Sequence, residues 1–171
     1  MKAQGGKTPP LQPKNYKTTK LSNYMTNYTL RLARESESSQ IKDLIRLVGI
    51  NPMDLDWKRF VVAVNDEDEM IGCGQIKPHG TEILELASIA VYPEHQGQGV
   101  ASAIIEHLLA NNPRPMYLMC ESSRGSLYEK FGFQAIEYAE MPRYFQRITK
   151  LAGLMTALAR RDARLLVMKL Q

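Results

Sequence analysis

The chain has 171 residues, 44% of them hydrophobic and 23% charged, and a formal net charge of +4. That length is enough for one domain with one core of ordinary size, and the composition is that of soluble globular proteins. No run approaches the roughly 18 unbroken apolar residues of a membrane span, and two cysteines make neither a disulfide framework nor a metal set.

The charge is unevenly spread. Residues 1–26 carry +5, residues 27–142 carry −7 and residues 143–171 carry +6. A basic total would point to a nucleic-acid partner, but the central body is acidic, so no nucleic-acid partner is expected. Pro9, Pro10 and Pro13 stand where a signal peptide needs its apolar centre. Cys73 and Cys120 read as thiols of a reducing compartment, which predicts a cytoplasmic protein.

In chain order, residues 1–26 are polar, Pro-bearing and aperiodic, and read as a flexible basic tail. "NYTLRLA" alternates as a strand does. "ESESSQIKDLIRLVGI" puts Ile41, Leu44, Ile45 and Val48 on one helical face, after several Ser and Glu residues suited to capping. "RFVVAVND" and "EMIGCGQIKP" predict a hairpin, and "TEILELASIAVYP" a long apolar strand. "GVASAIIEHLLANNP" predicts a helix with Ile104, Ile105, Leu108 and Leu109 inward and His107 exposed. "PMYLMCES" is the next strand. "SSRGSLYEKFGF" is a short helix capped by Ser122 or Ser123 and stopped by Gly132. "FQAIEYA" is a strand, residues 142–162 a basic amphipathic helix, and "RLLVMKL" a last strand. The order predicts an α+β fold with a mixed, mostly antiparallel sheet and a central parallel βαβ crossover.

"EHQGQGVASAI" places Gly97, Gly99 and Ala101 where a strand gives way to a helix. Freed backbone N–H groups and the positive helix end make an anion site there, although a tight turn alone would also use glycine. Gly97-x-Gly99-x-x-Ser102 nearly fits the dinucleotide fingerprint, with Glu121 about 20 residues on as a ribose ligand. Five residues, "YPEHQ", separate the strand from Gly97, the third glycine is a serine, and too little chain follows for the further βαβ units. A Walker loop is absent, since no lysine follows the glycines.

"IAVYPEHQGQGVASAII" resembles the cofactor motif Q/R-x-x-G-x-G/A of the GCN5-related N-acetyltransferase superfamily, with Gln96, Gly99 and Ala101 at its fixed positions. "SLYEKFGF" is similar to that superfamily's second signature, a short helix with a tyrosine and a Gly-Phe stop. The resemblance covers roughly residues 27–142 plus the closing strand, so residues 27–171 are expected to form one such domain. It implies the acyl-CoA N-acyltransferase fold, with acetyl-CoA as acetyl donor and no metal. Pantetheine would pair with the backbone of Ile89, Ala90 and Val91, and the pyrophosphate would sit on Gln96, Gly97, Gln98, Gly99, Val100, Ala101 and Ser102. Gln96 departs from the commoner arginine, which shifts phosphate binding toward N–H groups.

The implied reaction is attack by a primary amine, of a small molecule or a protein, on the thioester in a ternary complex. Glu85 falls where family members carry a glutamate base, and strand alternation would place it on the face of Ala87, Ile89 and Val91. Tyr128 falls at the usual donor to the departing sulfur, and the Ile89 N–H would meet the oxyanion. His79, His95 and His107 lack metal-ligand spacing, and Cys120 reads as a core residue rather than a nucleophile. The helix 142–162 is extra relative to the family and reads as an acceptor-site roof, a homodimer contact or a membrane-surface element. Two readings from other classes remain, a non-catalytic CoA-binding regulator and a dinucleotide-binding module.

Overall fold

The computed structural model describes the backbone of residues 27–159 and 165–171, and side chains up to Leu151 and from Leu165. The basic segment 1–26 and the side chains expected on the later turns of helix 142–162 lie outside the described residues.

The strands are β1 (Thr29–Leu32), β2 (Phe60–Val64), β3 (Met70–His79), β4 (Ile83–Val91), β5 (Met116–Glu121), β6 (Gln134–Ala135) and β7 (Leu165–Leu170). The helices are α1 (Ser38–Leu47), α2 (Val100–Ala110), α3 (Gly125–Glu129) and α4 (Arg143–Ala159). One seven-stranded sheet runs in the order β1-β2-β3-β4-β5-β7-β6. Every pairing is antiparallel except β4 with β5, which α2 connects by a crossover. This is the expected α+β architecture and the acyl-CoA N-acyltransferase fold.

Each element follows from its residues. β2 is "FVVAV", β-branched and aromatic residues that all become buried. In α1 the expected stripe is found, with Ile41, Leu44 and Ile45 all at or below 1% exposure. α2 buries Ile104, Ile105, Leu108 and Leu109 against β3 and β4. It comes so close because β3 has no side chain at Gly74. A Cβ there would stand 2.6 Å from Ile89 Cδ1 and 2.7 Å from Ile104 Cγ2, closer than packed carbons approach.

Four expectations need correction. The strand "FQAIEYA" shrinks to two residues, because the chain leaves the sheet into a 3-10 turn at Tyr138–Glu140. Neither Ser122 nor Ser123 caps α3: both belong to a 3-10 turn ahead of it, and no side-chain cap bond is made at either start. His107 is buried at 8% exposure, and burial pushes its pKa down.

The fourth concerns β4. Cys73 pairs with Ala90 and Gln75 with Ala87, so Gly74 faces both Ser88 and Ile89. This is a β-bulge, with Ser88 held at φ 56°. A bulge reverses the alternation of everything beyond it. Leu84 and Leu86 face α2, and so do Ile89 and Val91 beyond the bulge. Glu85 therefore lies on the opposite face from Ile89 and Val91, not on theirs.

Candidate active site

The bulge occurs where the sheet opens. β4 and β5 pair only at Leu84–Met116, Glu85–Tyr117 and Leu86–Leu118. Beyond Leu86 the ladder between them ends among the described residues, while β5 stays paired to β7 through Glu121. The diverging strands leave a wedge whose β4 side carries the backbone of Ile89, Ala90 and Val91.

At the wide end of that wedge, β4 passes through a 3-10 turn at Pro93–His95 into the glycine loop and α2. Gly97 and Gly99 adopt φ +76° and +81°, so both need glycine for their backbone alone. A Cβ at either would meet nothing within 4 Å, so the loop also has open space on its outer side. Gly99 is the N-cap of α2, and the N–H groups of Val100, Ala101 and Ser102 form its first turn, where backbone donors lack intrahelical acceptors. The wedge, the open loop and those donors fit a pantetheine followed by a pyrophosphate.

Gln96 has a different occupation in this structure. Its Nε2 donates to Val91 O at 3.0 Å and its N–H to Pro93 O at 3.3 Å. Both bonds tie the loop back to the end of β4. Gln98 donates likewise to Glu94 O at 3.1 Å.

Glu85 is 7% exposed and lies on the face away from α2. Its Oε2 is 2.5 Å from His79 Nε2, and the His79 ring stacks on Tyr144 of α4 at 3.7 Å. Lys77 is directly across the ladder from Glu85, and its Nζ donates to Met53 O at 2.8 Å. Burial lowers the Lys77 pKa, which Glu85 and Asp54 partly counter. Asp54 pairs with Arg59 at 2.7 Å, and that bond holds its carboxyl below the usual range. Deeper on the same face, Gln75 Nε2 donates to Ser88 Oγ at 3.0 Å, pinning the bulge from β3.

Tyr128, on α3, packs edge-on against Phe133 beside the cluster under α2. Burial, with the Cys120 thiol nearby, pushes its pKa up to about 12, so the phenol keeps its proton at neutral pH. The Cys120 thiol is likewise raised to about 11 and Cys73 to about 12, both chiefly by burial, which disfavours the reactive thiolate. Both cysteines are unpaired. No group of three or more His, Cys, Asp or Glu that could hold a metal is found among the described residues. No helix among them is long and apolar enough to cross a membrane.

The structure thus brings Ile89, Ala90, Val91 and the loop 96–102 along one continuous edge, with Glu85 behind the sheet. His79, Tyr144, Lys77, Gln75 and Ser88 were not picked out as site residues from the sequence. One signal was present for His79. In a hairpin around Gly80 its register with Ile83 puts it diagonal to Glu85.

Residues 56–135 match the acetyltransferase (GNAT) domain family. An uncharacterized N-acetyltransferase of Bacillus subtilis strain 168, YsnE, is 32% identical over 88 residues, which are 44% of this chain and 58% of the relative. The chain thus spans little more than half the length of that relative. Among solved structures, N-acetylglutamate synthase of Neisseria gonorrhoeae, complexed with coenzyme A and N-acetyl-glutamate, superposes with TM-score 0.66 at 20% identity. That match covers 84% of this chain and 35% of the synthase. Rv2747 of Mycobacterium tuberculosis, solved with CoA, gives TM-score 0.62 at 22% identity, covering 82% of this chain and 97% of its own. A GNAT-family acetyltransferase of Staphylococcus aureus gives 0.60 at 12% identity over 84% of this chain and 99% of that one. Both motifs fall within residues 56–135, the stretch that matches the acetyltransferase (GNAT) domain family, and the solved structures share the fold around the opened β4–β5 wedge.

Proposed function

We propose that the protein moves the acetyl group of acetyl-CoA to a primary amine by direct attack in a ternary complex. The observation that carries this reading is the wedge between β4 and β5, lined by the glycine loop and backed by a buried glutamate. When bound, acetyl-CoA supplies an activated carbonyl and a thiol leaving group.

The backbone of Ile89, Ala90 and Val91 would hold the pantetheine, and the N–H groups from Gly97 to Ser102 the pyrophosphate, with Gln96 and Gln98 keeping the loop in shape. Gln96 supplies no cation, so phosphate affinity rests on the loop N–H groups and the dipole of α2. The Ile89 N–H, at the bulge, would donate to the carbonyl oxygen as that atom gains charge.

Amines titrate near about 10.4, so most acceptor arrives protonated and must lose a proton before it attacks. Glu85 would take that proton, directly or through one water. Its place behind the wedge would bring the amine in from the α4 face, opposite the side that α2 covers. Tyr128, protonated at neutral pH, would donate to the departing sulfur. The first turns of α4, with Tyr144 and Phe145 against this face, would roof the acceptor site. Two unpaired cysteines agree with a cytoplasmic setting.

The test is a thiol-release screen of acetyl-CoA with an amine library, α-amino acids included because the gonococcal synthase was solved with N-acetyl-glutamate. Amine-dependent thiol release is expected, and Tyr128→Phe should lower kcat about 10- to 100-fold with acetyl-CoA affinity kept. Acetyl-CoA binding with no amine-dependent release across the library would favour the non-catalytic regulator. NADH binding in place of acetyl-CoA would favour the dinucleotide module.

A further inference from the structure

Glu85 has two carboxylate oxygens, and among the described residues one of them is engaged. Oε2 lies 2.5 Å from His79 Nε2, with the two side chains only 9% and 12% exposed. The imidazole is itself held. Tyr144 stacks on it at 3.7 Å with 21° between the planes, and Phe145 meets it edge-on at 6.1 Å. Phe145 is fully buried against Tyr117 at 5.5 Å, so α4 clamps the histidine from above while β3 carries it from below. A ring fixed on one face and one edge points its nitrogens in set directions. This is the arrangement by which one side chain orients another.

We infer that His79 is a positioning residue for Glu85, holding one carboxylate oxygen so that the other is presented to the acceptor. The inference rests on the reading of Glu85 as the base. With neutral His79 the Nε2–H donates to Glu85 Oε2, which leaves Oε1 as the oxygen that accepts the amine proton. In that step an N–H bond of the ammonium breaks, its electron pair stays on nitrogen, and the proton forms a bond to Oε1.

The other groups near the pair have separate partners. Lys77 donates to Met53 O, Asp54 and Arg59 bond each other, and Lys169 lies over the Tyr117 ring. The phenol of Tyr144 faces the same pair, and burial, then Glu85 and Asp54, raises its pKa, so it stays neutral through the working range. His79 is therefore the group on this face whose bond is made to Glu85 itself.

Two measurements test this. Nitrogen-15 NMR of the histidine rings at pH 8, with His79→Gln used to assign the signal, should find the neutral ring protonated on Nε2. A ring protonated on Nδ1 would overturn the inference, and this readout needs no acceptor. With the best amine from the screen, kcat is then followed against pH for wild type, His79→Ala, His79→Gln and Glu85→Gln. The acceptor is the same throughout, so its own titration is common to all four. His79→Ala should lose about tenfold or more at every pH. His79→Gln keeps a donor at the Nε2 position and should recover most of that loss. No recovery in His79→Gln, or full kcat in His79→Ala, would overturn the inference. Full kcat in Glu85→Gln would instead overturn the base reading beneath it.

Discussion

The two faces of the central strands are packed by different rules. Toward α2 the sheet is apolar and close. Gly72 and Gly74 remove side chains from β3, and Ile89, Val91, Val100 and Ile104 close over them. On the opposite face the same two strands carry Gln75, Lys77, His79, Glu85 and Ser88, half-buried or buried and each with a bonded partner, although Gln75 Oε1 has none among the described residues. A sheet that only needed a core would not accept so many polar groups on one side, because each must find a partner to offset the loss of water. The bulge at Ser88 joins the two regimes: by reversing the alternation, it gives Glu85 to one face and Ile89 to the other. The α2 face is apolar; the other face shares one apolar cluster with α1, through Cys73 and Ala90, and carries the proposed proton chemistry beside α4.

That division can be broken by substitution. The largest effect should come from Glu85→Gln, which keeps shape and hydrogen bonding while removing the charge. We expect kcat to drop about 10²- to 10³-fold with the thermal midpoint nearly unchanged. A large loss of stability with intact turnover would show that Glu85 belongs to the core. Gly74→Ala should do the reverse. Its new Cβ would collide with Ile89 and Ile104, both wedged in the core, costing about 2 kcal/mol and lowering Tm by several degrees in a melt. A melt indistinguishable from wild type would mean that the α2 face is looser than the distances say.

Ser88→Ala is the corresponding change at the junction. It leaves the Gln75 amide, fully buried, without its acceptor at 3.0 Å, at a cost of about 1.5 kcal/mol. Because the bulge also aims Ile89, KM for acetyl-CoA should rise in the same variant. Normal KM would separate the latch from the cofactor edge.

The smallest effect should come from a pair on neither face. Arg31 bonds Glu37 at 2.7 Å near the β1 edge, and the Arg34 N–H bonds it too. Burial alone would raise the Glu37 pKa, but these bonds outweigh it and hold the carboxyl below its ordinary value. A depressed carboxyl pKa adds stability that is complete above the unfolded value and is lost as pH falls through the folded one. Arg31→Gln should therefore cost about 1 kcal/mol at pH 7, and the gap to wild type should close in acid. A gap that stays constant down to pH 2 in urea melts would show that the pair contributes nothing.

Much of this was legible from the residues. Runs such as "FVVAV" and the stripe through α2 announce their elements, because burial and periodicity act locally. The glycine loop was legible because φ near +80° at two positions spaced by one residue leaves little choice of side chain. The face of Glu85 was not. Its place in the chain is unaffected by the bulge, but its orientation relative to Ile89 depends on one extra residue opposite Gly74, and "LASIAV" carries no glycine or proline to mark it. The partnership with His79 was also hidden, since it needs both the register of the β3–β4 hairpin and the docking of α4, more than sixty residues away. Ser122 and Ser123 misled because a 3-10 turn took the place of a capped helix start.

The central claim is that the wedge and its glycine loop bind acetyl-CoA. Isothermal titration of the purified protein with acetyl-CoA tests it most directly, with NADH in a parallel cell and Gly97→Val as the altered loop. The account predicts micromolar binding of acetyl-CoA by the wild type, at least tenfold weaker binding by the variant, and no heat with NADH. No binding of acetyl-CoA by the folded wild-type protein would contradict it.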